Sequence, residues 1–315
     1  MKSPVLITGA SGFVGSNLLR RLITEISPKK IHVLLRRGSD TWRIKDLLPK
    51  VSVHMADLKT QSAADALVQT VRPKTIFHLA THGGYSYQQN DEQAIIDTNI
   101  VFTFHLMQAC LRVGFDAFVN TGSSSEYGAK KKPMSEKDVL HPGTAYGASK
   151  AWATMYGEYL ALAKKAPVVT LRPFTVYGAY EARGRLIPNI ILALLNGEAP
   201  RLASPRIARD FIFIDDMIGA YIRAAERPSA GAVFNIGSGK QATIKEIFDV
   251  VRDIMEVDVD PRWDRTIGRS FDTNHWVADI RLAQRQLGWK PKTSLQNGLW
   301  ETVAWFKKNA YLYEA

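Results

Sequence analysis

Cysteine is nearly absent. Cys110 is the one thiol in 315 residues, so no internal disulfide can form. That excludes the disulfide-framed secreted scaffolds and fits a chain kept in a reducing cytoplasm. Cys110 falls in "LMQACLRVG", which reads as a packed helix face. Long apolar runs are missing too. No stretch reaches the ~18 apolar residues of a membrane helix. The opening "MKSPVLITGASG" carries one Lys and an apolar run too brief and too early for a secretory leader. Repeats and low-complexity segments are absent. With 46% hydrophobic and 23% charged residues, the composition is that of a folded chain rather than a disordered one. Clustered charge is scarce. Against 30 acidic residues stand 41 basic ones, a net +11, yet the longest basic run is "KKK" at Lys130 to Lys132 and no basic–aromatic platform accompanies it. A nucleic-acid partner is therefore not expected, while small ligands carrying several phosphates suit such a charge equally well.

What the chain does have is rhythm. The apolar runs "VLITG", "IHVLLR", "VSVHMAD", "TIFHLAT", "DAFVNTG" and "VVTLRPF" alternate with helix-period segments such as "SNLLRRLITEI" and "DTNIVFTFHLMQACLRV". Such alternation predicts an α/β fold, a Rossmann-type doubly wound parallel sheet with helices on both faces. After "LRPFTVYG" the rhythm breaks: "RLIPNIILALLNG" reads as a helix, "RDFIFIDDMIGAYIRAAE" as a strand then a helix, and "TIKEIFDVVRDIM" as an amphipathic helix. This predicts a smaller C-terminal substrate domain interleaved with the sheet domain. Residues 1–171 plus about 210–238 form the dinucleotide-binding part, and residues 172–209 plus about 239–315 the substrate part. Ligands of open α/β sheets sit beyond the carboxyl ends of the strands, so the residues directly after each strand carry the functional argument.

After the first strand comes "TGASGFVGSNL", with Gly9, Gly12 and Gly15 running into a helix. Glycines permit a tight turn and close backbone approach, and the helix N-terminus offers N–H groups to a pyrophosphate. The second strand ends in "LLRRGSD", where a site for NAD usually places a carboxylate on the ribose 2′-OH. Arg36 and Arg37 stand there instead, which favours NADP(H) over NAD(H), a solvated loop pair being the plainer reading. Asp57 and Leu58 follow the third strand, placed to meet the adenine. Ala80 and Thr81 follow the fourth as a small-residue passage for the cofactor. In "TAYGASKAWA", Tyr146 and Lys150 are four apart and share a helix face. A nearby ammonium stabilises phenolate and lowers a tyrosine pKa toward the range useful for proton transfer. Chance Y-x-x-x-K pairs are common and mostly structural. Here the pair joins the glycine turn and a hydroxyl, Ser123, 23 residues upstream of Tyr146 in "GSSSEYG".

With these residues the chain resembles the extended short-chain dehydrogenase/reductase family, in particular its nucleotide-sugar epimerases, dehydratases and reductases. The resemblance runs nearly the whole length, through "TGASGFVG", "ADL", "HLAT", "NTGSSSEYG", "YGASK", "LRPFTVYG", "RDFIFIDD", "NIGSG" and "VADIRLAQRQLGW". It implies a catalytic set of Ser123, Tyr146 and Lys150, with Asn99 in support. It extends the cofactor contacts to Ser11, Phe13, Val14, Leu79, Thr121 and Pro173, and implies no metal. On the substrate side it implies Ser124, Ser125, Thr175 and Arg185, with Arg209 and Arg269 gripping the diphosphate. For both arginines, surface pairing with Asp210 and Asp272 is the plainer alternative. The resemblance also implies a homodimer built on the helices around Asn99 to Val113 and Tyr146 to Lys164.

The lettering after Gly122 bears on the reaction. Family 4,6-dehydratases resemble "S-T-D-E-x-Y-G" here, with an acid and a base for water elimination. Counted back from "YG", this chain has Ser124 and Ser125 at those places, and Glu126 takes a base role only if the loop is one residue shorter. Two serines cannot serve as proton donor and acceptor near neutral pH. The expectation is therefore an NADPH-dependent reductase of a nucleotide-linked 4-keto-6-deoxyhexose, with a 4-epimerase close behind and a dehydratase third. Thr175, where many relatives carry Asn, leaves the sugar open. A catalytically idle dinucleotide- or RNA-binding protein stays as the non-enzyme alternative, to be told apart by salt-dependent RNA retention without sugar turnover.

Overall fold

The computed structural model describes residues 1–85, 88–268 and 272–314. The six sequence-predicted strands are β1 (Val5–Thr8), β2 (Ile31–Leu35), β3 (Ser52–Met55), β4 (Thr75–His78), β5 (Ala117–Thr121) and β6 (Val168–Pro173). Past them come β7 (Thr175–Tyr177), β8 (Arg201–Leu202), β9 (Ala208–Phe213), β10 (Val233–Ile236), β11 (Gln241–Thr243) and β12 (Arg262–Trp263). One parallel seven-stranded sheet has the order β10-β6-β5-β4-β1-β2-β3. β10 is a seventh strand that the alternation does not announce, because its four residues run straight into the "NIGSG" stretch. β1 and β4 are buried along their whole length, as central strands covered on both faces are. β3, at the edge, alternates instead and leaves Val53 and Met55 exposed.

The helices are α1 (Phe13–Glu25), α2 (Gln61–Val71), α3 (Glu92–Ile96), α4 (Phe102–Val113), α5 (Ala145–Lys164), α6 (Leu186–Leu195), α7 (Ile214–Glu226), α8 (Ile244–Met255) and α9 (Leu295–Asn309). One core joins the sheet to α1 and α6 to α9, and a second packs α2, α4 and α5 on the other face. A third, smaller cluster of Tyr127, Met134, Phe174, Trp276, Ala278 and Ile280 lies apart from both. Cys110 is buried in the second core, where desolvation pushes its thiol pKa up. α3 and α4 join through a π-type turn into one helical run, Glu92–Val113. An 18-residue window of it has mean hydropathy 1.3, enough by length and composition alone to cross a membrane, but Asp97, Asn99, His105 and Gln108 interrupt the segment and it holds no continuous run of ~18 apolar residues. Half of its apolar window is buried inside this chain, largely against α2.

The topology fixes where a ligand can enter. The chain runs outward through β1, β2 and β3 and then returns to place β4 on the other side of β1. Between β1 and β4 the strand order reverses, and the loops after them diverge to open a crevice. Strand β7 joins β9 and β11 in a three-stranded sheet, and β8 pairs with β12. The three-stranded sheet carries Thr175 and Arg209 to the far wall of the same crevice.

Candidate functional site

The crevice holds about 670 Å³. Its near wall begins where β1 ends. Gly9 has φ +73°, and a Cβ there would come 2.6 Å from the Ala80 nitrogen. A Cβ on Gly15 would overlap the Gly9 carbonyl, so α1 approaches the turn closely only without side chains. Gly12 caps α1 with no side-chain hydrogen bond and no acidic residue in the first turn, while Ser11, Phe13 and Val14 line the crevice beside it. The open N–H groups and positive end of α1 thus remain on the wall.

Leu79, Ala80, Thr81, Thr121 and Pro173 form the floor. Asn99 does not reach it. Its buried amide donates to the His82 carbonyl (2.9 Å) and to Ser149 Oγ (2.9 Å), and accepts from the His82 N–H (2.8 Å) and from Thr81 (3.1 Å). It pins the loop after β4 to α5, which makes it a positioning residue. Leu58 is also away from the crevice, fully buried in the second core. Arg36 lines the crevice, and it shares with Arg37, Ser39 and Asp57 a second hollow of about 490 Å³ at the end of β2. Among the described residues no carboxylate pairs with Arg36 or Arg37. The Ser39 hydroxyl accepts from the Arg36 N–H at 3.0 Å and closes the turn.

At the reacting end, Ser123 follows β5 and Tyr146 opens α5, and both line the crevice. Burial raises the Tyr146 pKa, opposed first by a hydrogen bond with Ser123, then by the Arg185 charge, with a bond to Thr81 in the same direction. Lys150 follows one turn along α5. Its ammonium donates to the Thr121 carbonyl at 2.8 Å behind the wall, and burial brings it to about 8. Glu126 points away from the crevice. Its Oε1 accepts the Ser123 N–H (2.7 Å) in a capping box, and its Oε2 pairs with Arg172 (2.7 Å), with exposures of 0% and 3%. Burial raises this carboxyl, and Arg172 opposes that. Both oxygens being engaged, a base role for Glu126 does not fit.

Ser124, Ser125, Thr175, Arg185 and Arg209 also line the crevice. Arg209 pairs with Asp272 (2.5 Å) and lies over the Trp276 ring (5.3 Å). Asp210 does not join it: buried, it accepts from Ser238, Gly239 and Ala278 and is pushed up to about 6 by desolvation. Arg269 lies outside the described residues. Sequence reasoning missed Trp276, Phe174, Glu181 and Tyr221 on the wall, and Gln88 and Gln89 from the loop after β4. The polar loop directly after a strand carried a usable signal; a lone Trp ahead of "VAD" did not. Among the described residues no cluster of His, Cys, Asp or Glu could hold a metal ion.

Glu181 is buried beside the crevice, 3.5 Å from Arg185, with Oε2 lacking a hydrogen-bond partner. Burial pushes it up to about 7, against the pull of Arg185. A raised acid favours the fold in its protonated form, so its contribution is complete below the ordinary value of 4.5 and is lost as pH rises through about 7. Glu181→Gln is therefore expected to raise Tm relative to wild type more at pH 8 than at pH 5, by up to ~3 kcal/mol of stability. An equal Tm difference at both pH values would contradict the raised carboxyl.

A Rossmann sheet whose glycine turn, hydroxyl pair and arginine-bearing far wall surround one crevice defines the extended short-chain dehydrogenase/reductase class. The chain belongs to the NAD dependent epimerase/dehydratase family, whose model matches residues 5–237. A trifunctional UDP-glucose 4,6-dehydratase/UDP-4-keto-6-deoxy-D-glucose 3,5-epimerase/UDP-4-keto-L-rhamnose-reductase of Arabidopsis thaliana is 28% identical over 323 residues, which is 97% of this chain but 47% of the plant protein. The chain thus spans about half the length of that relative. A dTDP-4-dehydro-6-deoxyglucose reductase of Escherichia coli is 28% identical, with 95% of this chain and 96% of the relative aligned. The solved UDP-glucuronic acid 4-epimerase of Bacillus cereus, in complex with UDP-glucuronic acid and NAD, matches with a TM-score of 0.86 at 26% identity, covering 97% of this chain and 99% of that one. Epimerases, dehydratases and reductases of nucleotide sugars are thus all among its relatives.

Proposed function

We propose that the chain is an NADP(H)-dependent oxidoreductase of nucleotide-diphosphate sugars acting at C4, in its simplest form a reductase of 4-keto-6-deoxyhexoses. The observation that carries this is that Ser123 and Tyr146 line one crevice while the carboxylate of their own turn, Glu126, is committed to the Ser123 N–H and to Arg172. With serines at 124 and 125 and Glu126 committed to Arg172, water elimination lacks its acid and base. The Gly9 and Gly15 contacts and the open first turn of α1 fit a dinucleotide pyrophosphate. The basic hollow at Arg36 and Arg37 supports a 2′-phosphate, although the Bacillus cereus relative carries NAD.

A bound nicotinamide supplies the hydride for C4. Tyr146 gives its proton to the oxygen that gains charge there, and its raised pKa keeps the hydroxyl in the protonated form that reduction needs. Ser123 accepts the Ser125 N–H at 3.1 Å, which leaves its own proton to donate to the same oxygen. Arg209, held by Asp272, is the cation for the diphosphate. Met155 and Leu162 on α5, with exposures of 53% and 78%, support the reading of a homodimer through that helix.

Incubation with NADPH or NADH and a panel of nucleotide-linked parent hexoses and 4-keto-6-deoxyhexoses tests the reading. Stoichiometric loss of NADPH with a keto sugar is the expected result. Isomerised sugar without net cofactor loss would make the protein a 4-epimerase. Arg36→Ala is expected to cut the preference for NADPH over NADH by about 10–100-fold, the worth of a charge-assisted hydrogen bond. A wild-type preference for NADH would overturn the cofactor assignment.

A further inference from the structure

We propose that Trp276 sets which hexoses the crevice accepts, by walling the C5–C6 edge of the sugar so that a C6 methyl is taken in preference to a C6 hydroxymethyl. The inference rests on the reading that C4 faces Ser123 and Tyr146. Ser124 is the next residue along the turn after Ser123, and the Trp276 indole donates to its hydroxyl at 3.1 Å. The Arg209 guanidinium lies over the same side chain, 5.3 Å from its ring centroid. Trp276 therefore spans from the reacting end of the sugar to the cation for its diphosphate.

A hexopyranose has two edges between C4 and C1. One carries the C3 and C2 hydroxyls, and the other carries C5, the ring oxygen and C6. The Trp276 wall offers little to hydroxyls. Trp276 is 6% exposed and Phe174 is 5% exposed, and both belong to the apolar cluster with Met134 and Ile280. The Ser124 hydroxyl on this wall accepts the indole N–H and so has one proton left to donate. This cluster adjoins β6 and β10, through Phe174 directly after β6 and through Asn235 of β10, which donates to the Met134 carbonyl at 2.9 Å. The opposite wall comes from the loop after β4, on the other side of β5. There Arg185 reaches the Gly84 carbonyl (3.5 Å) and lies over Tyr85 (5.9 Å), with Gln88 and Gln89 beside them. Polar side chains there suit the C2–C3 edge, which leaves the C5–C6 edge to the indole. A C6 hydroxyl buried against the Trp276 and Phe174 rings would give up its water for at most the one Ser124 proton, whereas a methyl gives up nothing.

The test uses two pairs of nucleotide sugars that differ only at C6: nucleoside-diphosphate D-galactose with D-fucose, and D-glucose with D-quinovose. Equilibrium dialysis gives binding to the full chain, and kcat/KM is read in the oxidation direction with NADP+ and NAD+. Wild type is expected to favour the 6-deoxy member by about 10–100-fold, the range an apolar pocket achieves against an added hydroxyl. Trp276→Ser is expected to bring the ratio below about 3-fold, while Trp276→Phe, which keeps the ring and loses the indole N–H, retains most of it. NADPH fluorescence and Tm report whether each variant is folded. A wild-type ratio near one, or a ratio that a folded Trp276→Ser leaves unchanged, overturns the proposal. Selective binding without any turnover would overturn the C4 chemistry while upholding the wall, and no binding of either member would overturn both.

Discussion

Replacing Tyr146 by Phe is expected to lower kcat about 10²–10⁴-fold on whichever nucleotide sugar the chain turns over, the usual worth of a positioned proton donor. The ring stays, and with it the packing at the start of α5; what goes is the hydroxyl that meets Ser123 and Thr81. No other group is built to take over. Lys150 lies behind the wall on the Thr121 carbonyl, and Glu126 is closed into its pair with Arg172. Affinity for NADPH, read by fluorescence, is expected to hold within a few-fold, because the glycine turn, floor and β2 hollow do not involve Tyr146. The pH profile adds a second reading. Since burial raises the Tyr146 pKa, wild-type reduction should stay flat through neutral pH and fall only on the alkaline side, a limb that Tyr146→Phe should lack. A variant that keeps more than a tenth of the wild-type rate would remove Tyr146 from the chemistry.

Why this much was legible follows from where the information sits. Strand alternation and glycine spacing are local. "VLITG" and "TIFHLAT" are buried on both faces and therefore read as continuous apolar runs, and Gly9 must be glycine because Ala80 presses against it. The residues after each strand were readable because the sheet brings those ends to one crevice. Asn99 and Leu58 show the limit of that rule. Both lie in stretches the resemblance marks, but Asn99 spends its whole amide on the His82 backbone, Thr81 and Ser149, and Leu58 packs under the sheet. Lys150 shows another limit. Spacing puts it on the Tyr146 face of α5, but spacing does not reveal that the Thr121 carbonyl holds it or that desolvation outweighs charge at the tyrosine. Trp276 and Glu181 arrive from segments with no periodic pattern, and only the fold brings them to the crevice.

The largest expected effect on stability comes from the buried pair beneath Ser123. Glu126→Ala is expected to cost about 3–5 kcal/mol, since it strands the Arg172 guanidinium, 3% exposed, without its counter-charge. Arg172 also donates to the Tyr127 hydroxyl (2.8 Å) and lies over its ring (4.7 Å), and Tyr127 in turn donates to Asn235 (2.7 Å) on β10. The charge therefore sits in a network that ties the turn after β5 to β6 and β10, and it cannot swing out to solvent. The same substitution removes the acceptor for the Ser123 N–H, so the turn that aims Ser123 loses half of its capping box. A Tm lower by roughly 5–15 °C follows for a chain of this size, with kcat reduced in the fraction that stays folded. The double variant Glu126→Leu with Arg172→Met separates charge from packing. Removing both charges leaves no stranded ion, so the double variant should be more stable than Glu126→Ala alone. If Glu126→Ala costs less than about 1 kcal/mol, or if the double variant is the weaker of the two, the pair is not what holds the Ser123 turn.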